Sequence, residues 1–184
     1  MRLRVLGCSG SIGGHHNRTT SFLVDQDILV DAGTGVGDLS LAELRLIDHV
    51  FVTHSHLDHV DSIAFVLDSV GAFRMKPLTV YATGPTITIL KKNLFNWDIW
   101  PDFTQIPTPD DPWLRYREIG VGERIVLGKR KITQYTRYGT IFLAVVQSMG
   151  IAIFLERQTQ IAGGLPLVYN PGIGFRLMTV LTLT

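Results

Sequence analysis

Three histidines and an aspartate fall within six consecutive residues, His54-Ser55-His56-Leu57-Asp58-His59, and no other stretch constrains the chain as strongly. Imidazole and carboxylate together suit zinc or a similar first-row divalent ion. The run His49–Thr53 ahead of the hexapeptide is apolar and of strand type. Behind it, Val60, Ile63, Val66, Leu67 and Val70 recur at helical spacing, with Gly71 placed to end the helix. In an extended loop leaving a strand, residues two apart project to the same side. His54 and His56 therefore reach one ion, while Asp58 and His59, where the chain turns into the helix, aim at a second position nearby. Two ions about 3.5–4 Å apart would share a bridging hydroxide. All six histidines of the chain lie in its first third, which makes a chance cluster a poor account of this one. His49, beside Asp48 at a strand start, reads as a surface residue.

The surrounding pattern is short strands alternating with brief helices, the mark of a layered α/β arrangement. Strands are expected at Leu3–Leu6, Ser21–Val24, Ile28–Val30 and Leu78–Tyr81, the second and third joined through Asp25-Gln26-Asp27. Ser40-Leu41-Ala42-Glu43 is a capping box that starts a short helix to about Leu46. Pro85 opens another, with Ile87, Leu90 and Leu94 on one stripe. Pro101 to Pro112 reads as a proline-punctuated loop. Ile125–Leu127 and Lys131–Thr133 form a hairpin around Gly128-Lys129-Arg130.

Composition bounds the rest. A length of 184 residues fits one domain or slightly more, and a net charge of +1 supplies no bulk attraction to nucleic acid or anionic membrane. Cys8 is alone, so neither an internal disulfide nor a cysteine-based zinc module is available, and a reducing, cytoplasmic setting is the default. Met1–Leu6 lacks the long apolar stretch of a targeting signal. Gly139 to Leu155 carries no charge but is interrupted by Gln147, Ser148 and Gly150. It reads as two buried strands turning at Ser148-Met149-Gly150 rather than as a membrane span, which needs about 20 mostly apolar residues.

The hexapeptide, with Asp31-Ala32-Gly33 upstream, resembles the signature of the metallo-β-lactamase superfamily. Leu57 at the variable position looks like the class II cyclic-nucleotide phosphodiesterases, whereas the tRNA 3′-processing branch has glycine there. Leu6-Gly7-Cys8-Ser9-Gly10, the segment Arg18 to Val24, Phe95-Asn96-Trp97 and Trp100-Pro101-Asp102-Phe103 look similar to bacterial members of that class. The resemblance covers about residues 1–131. It implies an αββα sandwich with a two-metal site holding Zn2+ (or Mn2+/Fe2+). His54 and His56 would hold the first ion and Asp58 and His59 the second. Asp58 would also orient the nucleophile, and Asp31 would support the metal loop by hydrogen bonding. Gly33 and Gly35 would let backbone pass close to the site. The implied reaction is attack of a zinc-bound hydroxide on a phosphodiester such as cyclic AMP, giving a 5′-nucleotide. The implied partner is a small-molecule nucleotide, with no stable nucleic-acid partner and no membrane, and a homo-oligomer is compatible with the pattern. His15 and His16 read as exposed loop residues, and Phe95, Trp97, Trp100 and Phe103 as core or lid.

The pattern then breaks. The family supplies further histidines and a bridging aspartate downstream, but after Asp111 this chain has no His or Asp at all. From Ile132 to Thr184 there is one acidic residue, Glu156, with three arginines and no lysine. The expected organisation is therefore a metallo-β-lactamase-like portion, 1–131, and an atypical apolar tail, 132–184, divergent or out of register with the ancestral frame. Two function classes follow: a two-metal phosphodiesterase or sibling hydrolase, and a non-catalytic remnant with a weak metal site.

Overall fold

A computed structural model of the chain describes residues 1–13, 17–137, 140–147, 151–156 and 181–182. His15 and His16 lie outside the described residues. The backbone divides into two units, Met1–Ile119 and Gly120–Thr184.

The first unit is α/β. Its strands are β1 (Leu3–Gly7), β2 (Ser21–Val24), β3 (Ile28–Ala32), β4 (His49–Phe51), β5 (Leu78–Ala82) and β6 (Leu114–Glu118), with helices α1 (Leu41–Leu44), α2 (Asp61–Val70) and α3 (Gly84–Asn93). They form one sheet in sequence order. The β1–β2 and β2–β3 pairs are antiparallel, and β3 to β6 run parallel, each reached through a helix. Every residue of β2 and β3 is buried. That is why these strands are apolar on both faces instead of alternating. The turn between them places Asp25 at φ 54°, a left-handed conformation that aspartate tolerates better than most residues.

The expected helix starts are present. Ser40 accepts from the Glu43 amide while Glu43 accepts from the Ser40 amide, so the capping box is closed in both directions. The helix it opens is one turn long, shorter than the expected span. In α2 the residues Ile63, Val66, Leu67 and Val70 are buried, and they pack in one core with Leu29, Val50, Leu78 and Val80 of the sheet and Leu90 of α3. Each such side chain contributes about 1.5–3 kcal/mol by leaving water. Gly71 does not end α2 through a left-handed cap: its φ is −52°, and the chain continues into a 3-10 turn, Gly71–Phe73. Glycine is needed there for space, since a Cβ would lie 2.5 Å from the Trp113 ring.

Strand β6 was not anticipated. Leu114-Arg115-Tyr116-Arg117-Glu118 reads as charged, yet Leu114 and Tyr116 turn inward while the two arginines stay exposed, and Val80 pairs with Tyr116. Phe95 and Phe103 are core residues and Trp97 is exposed, so the aromatic cluster is divided between interior and surface.

The second unit is an antiparallel sheet of β7 (Arg124–Leu127), β8 (Arg130–Arg137), β9 (Thr140–Gln147), β10 (Ile151–Glu156) and β11 (Leu181–Thr182), in the order β11-β10-β9-β8-β7. The expected hairpin is β7–β8, turning at Gly128 with φ 60°, and β8 runs on well past Thr133. Strands β9 and β10 occupy the two runs expected as strands, and the turn at Ser148-Met149-Gly150 lies outside the described residues. Among the described residues, no helix is long and apolar enough to cross a membrane.

Candidate metal centre

The hexapeptide leaves the carboxyl end of β4, beside the carboxyl end of the parallel neighbour β3, where open α/β sheets place ligands. Asp31 is the penultimate residue of β3. It adopts φ 54°, and its carboxylate is 1% exposed. Four contacts hold it. The Thr53 amide donates to Oδ1 at 2.8 Å, the Thr53 hydroxyl lies 3.0 Å from Oδ1 and 2.8 Å from Oδ2, and Nδ1 of His59 lies 2.7 Å from Oδ2. An ionised carboxylate only accepts, so Nδ1 of His59 is the nitrogen that donates to Asp31.

The path from β4 to α2 fixes the other donors. His56 is extended (φ −66°, ψ 144°), Leu57–His59 make one 3-10 turn, and α2 follows. The His54 ring sits at the centre of an imidazole cluster, its centroid 4.6 Å from that of His56 and 4.1 Å from that of His59. Oδ2 of Asp58 is 3.3 Å from Nε2 of His59. Exposure is graded: His59 is buried, His54 and Asp58 are half-buried, and His56 is open to solvent. All four sequence-derived ligand candidates lie on one loop, with Asp31 bonded to His59, but no three of them bring their donor atoms within 4.8 Å of one another.

Several supporting residues escaped sequence reasoning. Thr53 bridges Asp31 and His54, and its position directly before the first histidine was the available signal. Thr19 and Thr34 clamp the neighbouring loop, each amide bonded to the other's hydroxyl at 2.9 and 2.8 Å. Ser62 donates to the Gly33 carbonyl at 2.9 Å, tying α2 to the loop after β3. Gly33 is the close approach that its sequence position suggested, since a Cβ there would lie 2.5 Å from the Asp58 carbonyl. Burial pushes the Asp61 carboxyl up. Hydrogen bonds from Ser62 oppose that rise, and the neighbouring Asp58 charge adds to it.

Among the described residues, the group whose donor atoms all approach within 4.8 Å of one another is Asp27, Asp48 and His49, away from the hexapeptide. There Asp48 is already paired with Arg74 at 2.9 Å and Lys76 at 2.6 Å. His49 is half-buried rather than a surface residue, its Nδ1 lying 3.2 Å from the Tyr81 hydroxyl.

Residues 40–120 match the family described as cAMP phosphodiesterases class-II. A probable 3′,5′-cyclic-nucleotide phosphodiesterase of Yersinia pestis is 38% identical over 58 residues, covering 32% of this chain and 16% of that protein. A likeness of a different kind is to the protein translocase subunit SecY of Aquifex aeolicus, 54% identical over 56 residues, covering 30% of this chain and 13% of that protein. Two solved structures share the fold. The metallo-beta-lactamase fold protein YhfI from Bacillus subtilis gives a TM-score of 0.58 at 18% identity, covering 80% of this chain and 59% of that one. Unliganded yeast PDE1 gives 0.57 at 18% identity, covering 83% and 60%. The chain has the metallo-β-lactamase fold, and residues 40–120 resemble the class II phosphodiesterases, as the hexapeptide implied. The matched stretches are a small fraction of each curated relative and about 60% of each solved structure.

Proposed function

We propose that the first unit is the metal-binding part of a phosphodiesterase site for a small cyclic nucleotide such as cyclic AMP. The observation that carries this reading is a buried carboxylate, Asp31, bonded to His59 beside His54, His56 and Asp58 at the ends of β3 and β4. The donor set fits a first-row divalent ion, and His54 with His56 would hold one position and Asp58 with His59 another. Zinc, manganese or iron bound there supplies a Lewis acid for phosphoryl oxygens and lowers the pKa of a water. The chain's own residues supply orientation. Asp31 fixes the His59 tautomer. Asp58 presents an acceptor oxygen that orients the attacking water and takes up its proton. Water oxygen bonds to phosphorus, the bond to the 3′-oxygen breaks, and that oxygen takes a proton to leave a 5′-monophosphate.

Each position draws about two donors from this loop, whereas catalytic zinc sites usually have three. Measurement of metal content together with cyclic AMP hydrolysis tests the reading, with His56→Ala as control. Two equivalents of zinc with turnover that depends on His56 supports the enzyme. Less than one equivalent with no turnover leaves the first unit a non-catalytic remnant.

A second observation bears on residues 121–184. The phosphodiesterase-like stretch ends at residue 120, and the 39 residues before it are too few to hold a 56-residue match. The translocase-like stretch, if it lies outside 40–120, falls after it, and any such window contains residues 129–176. On this reading the chain joins a hydrolase half to a segment of translocase type, and the missing His and Asp are absent because the second segment never carried them. An out-of-frame tail would not align at about half identity with another protein, so a match placed in that segment would favour a joined segment over a change of frame. Among the described residues, Gln134 of β8 is 1% exposed and neither of its amide atoms has a hydrogen-bond partner. Such a group costs about 1–3 kcal/mol where it stays unpaired. Long-read sequencing of the coding DNA across this junction tests the joined reading. A frame change between codons 120 and 129 that restores downstream His and Asp motifs would overturn it.

A further inference from the structure

The geometry points to Thr53 as a positioning residue for His54, an inference that deepens the proposed metal site and rests on that reading for its purpose. Thr53 is 3% exposed, so its hydroxyl has only protein groups to bond. Three atoms surround Oγ1: Oδ2 of Asp31 at 2.8 Å, Oδ1 of Asp31 at 3.0 Å and Nδ1 of His54 at 3.0 Å. A hydroxyl has one proton to give and two lone pairs to offer. The carboxylate can only accept, so the proton goes to Asp31. The contact with His54 must then run the other way, with the ring donating from Nδ1 to the threonine oxygen. His54 is thereby held as the Nδ1–H tautomer, which makes Nε2 its basic nitrogen.

One carboxylate thus sets two histidines: His59 directly through Oδ2, and His54 through the Thr53 hydroxyl. The Thr53 amide on Oδ1 locks the arrangement, because it fixes the backbone from which both the hydroxyl and the next residue, His54, project. Threonine suits the role because its branched Cβ restricts χ1. Partners behind a metal-binding histidine of this kind typically change metal affinity by about 10–100-fold when removed.

The test is the ring-nitrogen spectrum of the 15N-labelled full chain without metal, for wild type, Thr53→Val and Thr53→Ser. The expected result is an Nδ1–H tautomer for His54 in wild type and in Thr53→Ser. In Thr53→Val, His54 shifts toward Nε2–H while His59 keeps its Nδ1 proton. Wild-type His54 protonated on Nε2, or a Thr53→Val spectrum identical to wild type, would overturn the assignment. Should Thr53→Val fail to fold, the wild-type and serine spectra still decide. Zinc titration of the same proteins reads the functional consequence separately, with a loss of about 10–100-fold expected for Thr53→Val. A chain that binds no zinc at all would count against the proposed function and leave the tautomer result standing.

Discussion

Nδ1 of His59 lies 2.7 Å from Oδ2 of Asp31, and both side chains are almost wholly withdrawn from solvent. The bond ties the end of β3 to the turn that starts α2, elements 28 residues apart in sequence. Replacing Asp31 by alanine leaves a buried imidazole N–H and a buried hydroxyl without their acceptor. Each such loss costs about 1–3 kcal/mol. Asp31→Ala is therefore expected to lower the thermal midpoint and to weaken zinc or cobalt binding by about 10–100-fold. Calorimetric melting and metal titration on the same protein check both, and unchanged metal affinity would refute the orienting role.

Gly33 and Gly37, four residues apart after β3, should respond differently. A Cβ on Gly33 would meet the Asp58 carbonyl and the Thr19 backbone, neither of which can swing aside, whereas a Cβ on Gly37 meets nothing within 4 Å. Gly33→Ala is expected to cost about 1–3 kcal/mol through overpacking. It should also displace Asp58 and so reduce metal affinity. Gly37→Ala should be close to neutral in both. Denaturant melts of the two variants side by side provide the comparison.

The capping box at α1 predicts an acid transition. The Ser40 amide, the Arg4 side chain at 2.6 Å and the Ser40 hydroxyl hold the Glu43 carboxyl down at about 2, against an ordinary value of 4.5. Because the folded-state value is depressed, the interaction is fully present above about pH 4.5 and is lost as pH falls toward about 2. Ser40→Ala removes the hydroxyl and loosens the amide contact, so Glu43 should titrate closer to 4.5. Carbon-detected NMR titration of Glu43 in both proteins shows it.

Hydroxyl and hydrocarbon deletions in the interior should differ in sign. Among the described residues the buried Tyr116 hydroxyl has no hydrogen-bond partner, and burial, followed by the nearby Asp102 charge, pushes its ionisation well up. Tyr116→Phe removes a group that had already lost its water, so it should be neutral or stabilising. Leu67→Ala, at a fully buried position of α2, should cost about 2–5 kcal/mol. Equilibrium urea unfolding of both variants distinguishes the two cases, and a clear loss in Tyr116→Phe would reveal a partner for that hydroxyl.

The hexapeptide with its flanking strand and helix was enough to point to the fold and to name the ligand candidates. His54, His56, Asp58 and His59 are close in sequence and sit on a strand-to-helix loop, so local spacing alone places them together. The capping box, the β2–β3 turn and the helical stripe of α2 were readable for the same reason, since each depends on neighbours within a few residues. Strand β6 was hidden because its arginines mask an inward-facing Leu114 and Tyr116, and only pairing with β5 reveals the alternation. Gly71 does stand at the end of α2, as its position predicts, but what requires glycine there is the contact with Trp113, which lies far along the chain. What tertiary structure decided is the arrangement behind the histidines. Asp31, Thr53 and His59 meet only because β3 and β4 run parallel and in register, and no spacing rule brings together residues that far apart. Local spacing chose the donors, and long-range packing set which nitrogen of His59 faces Asp31 and which nitrogen of His54 faces Thr53.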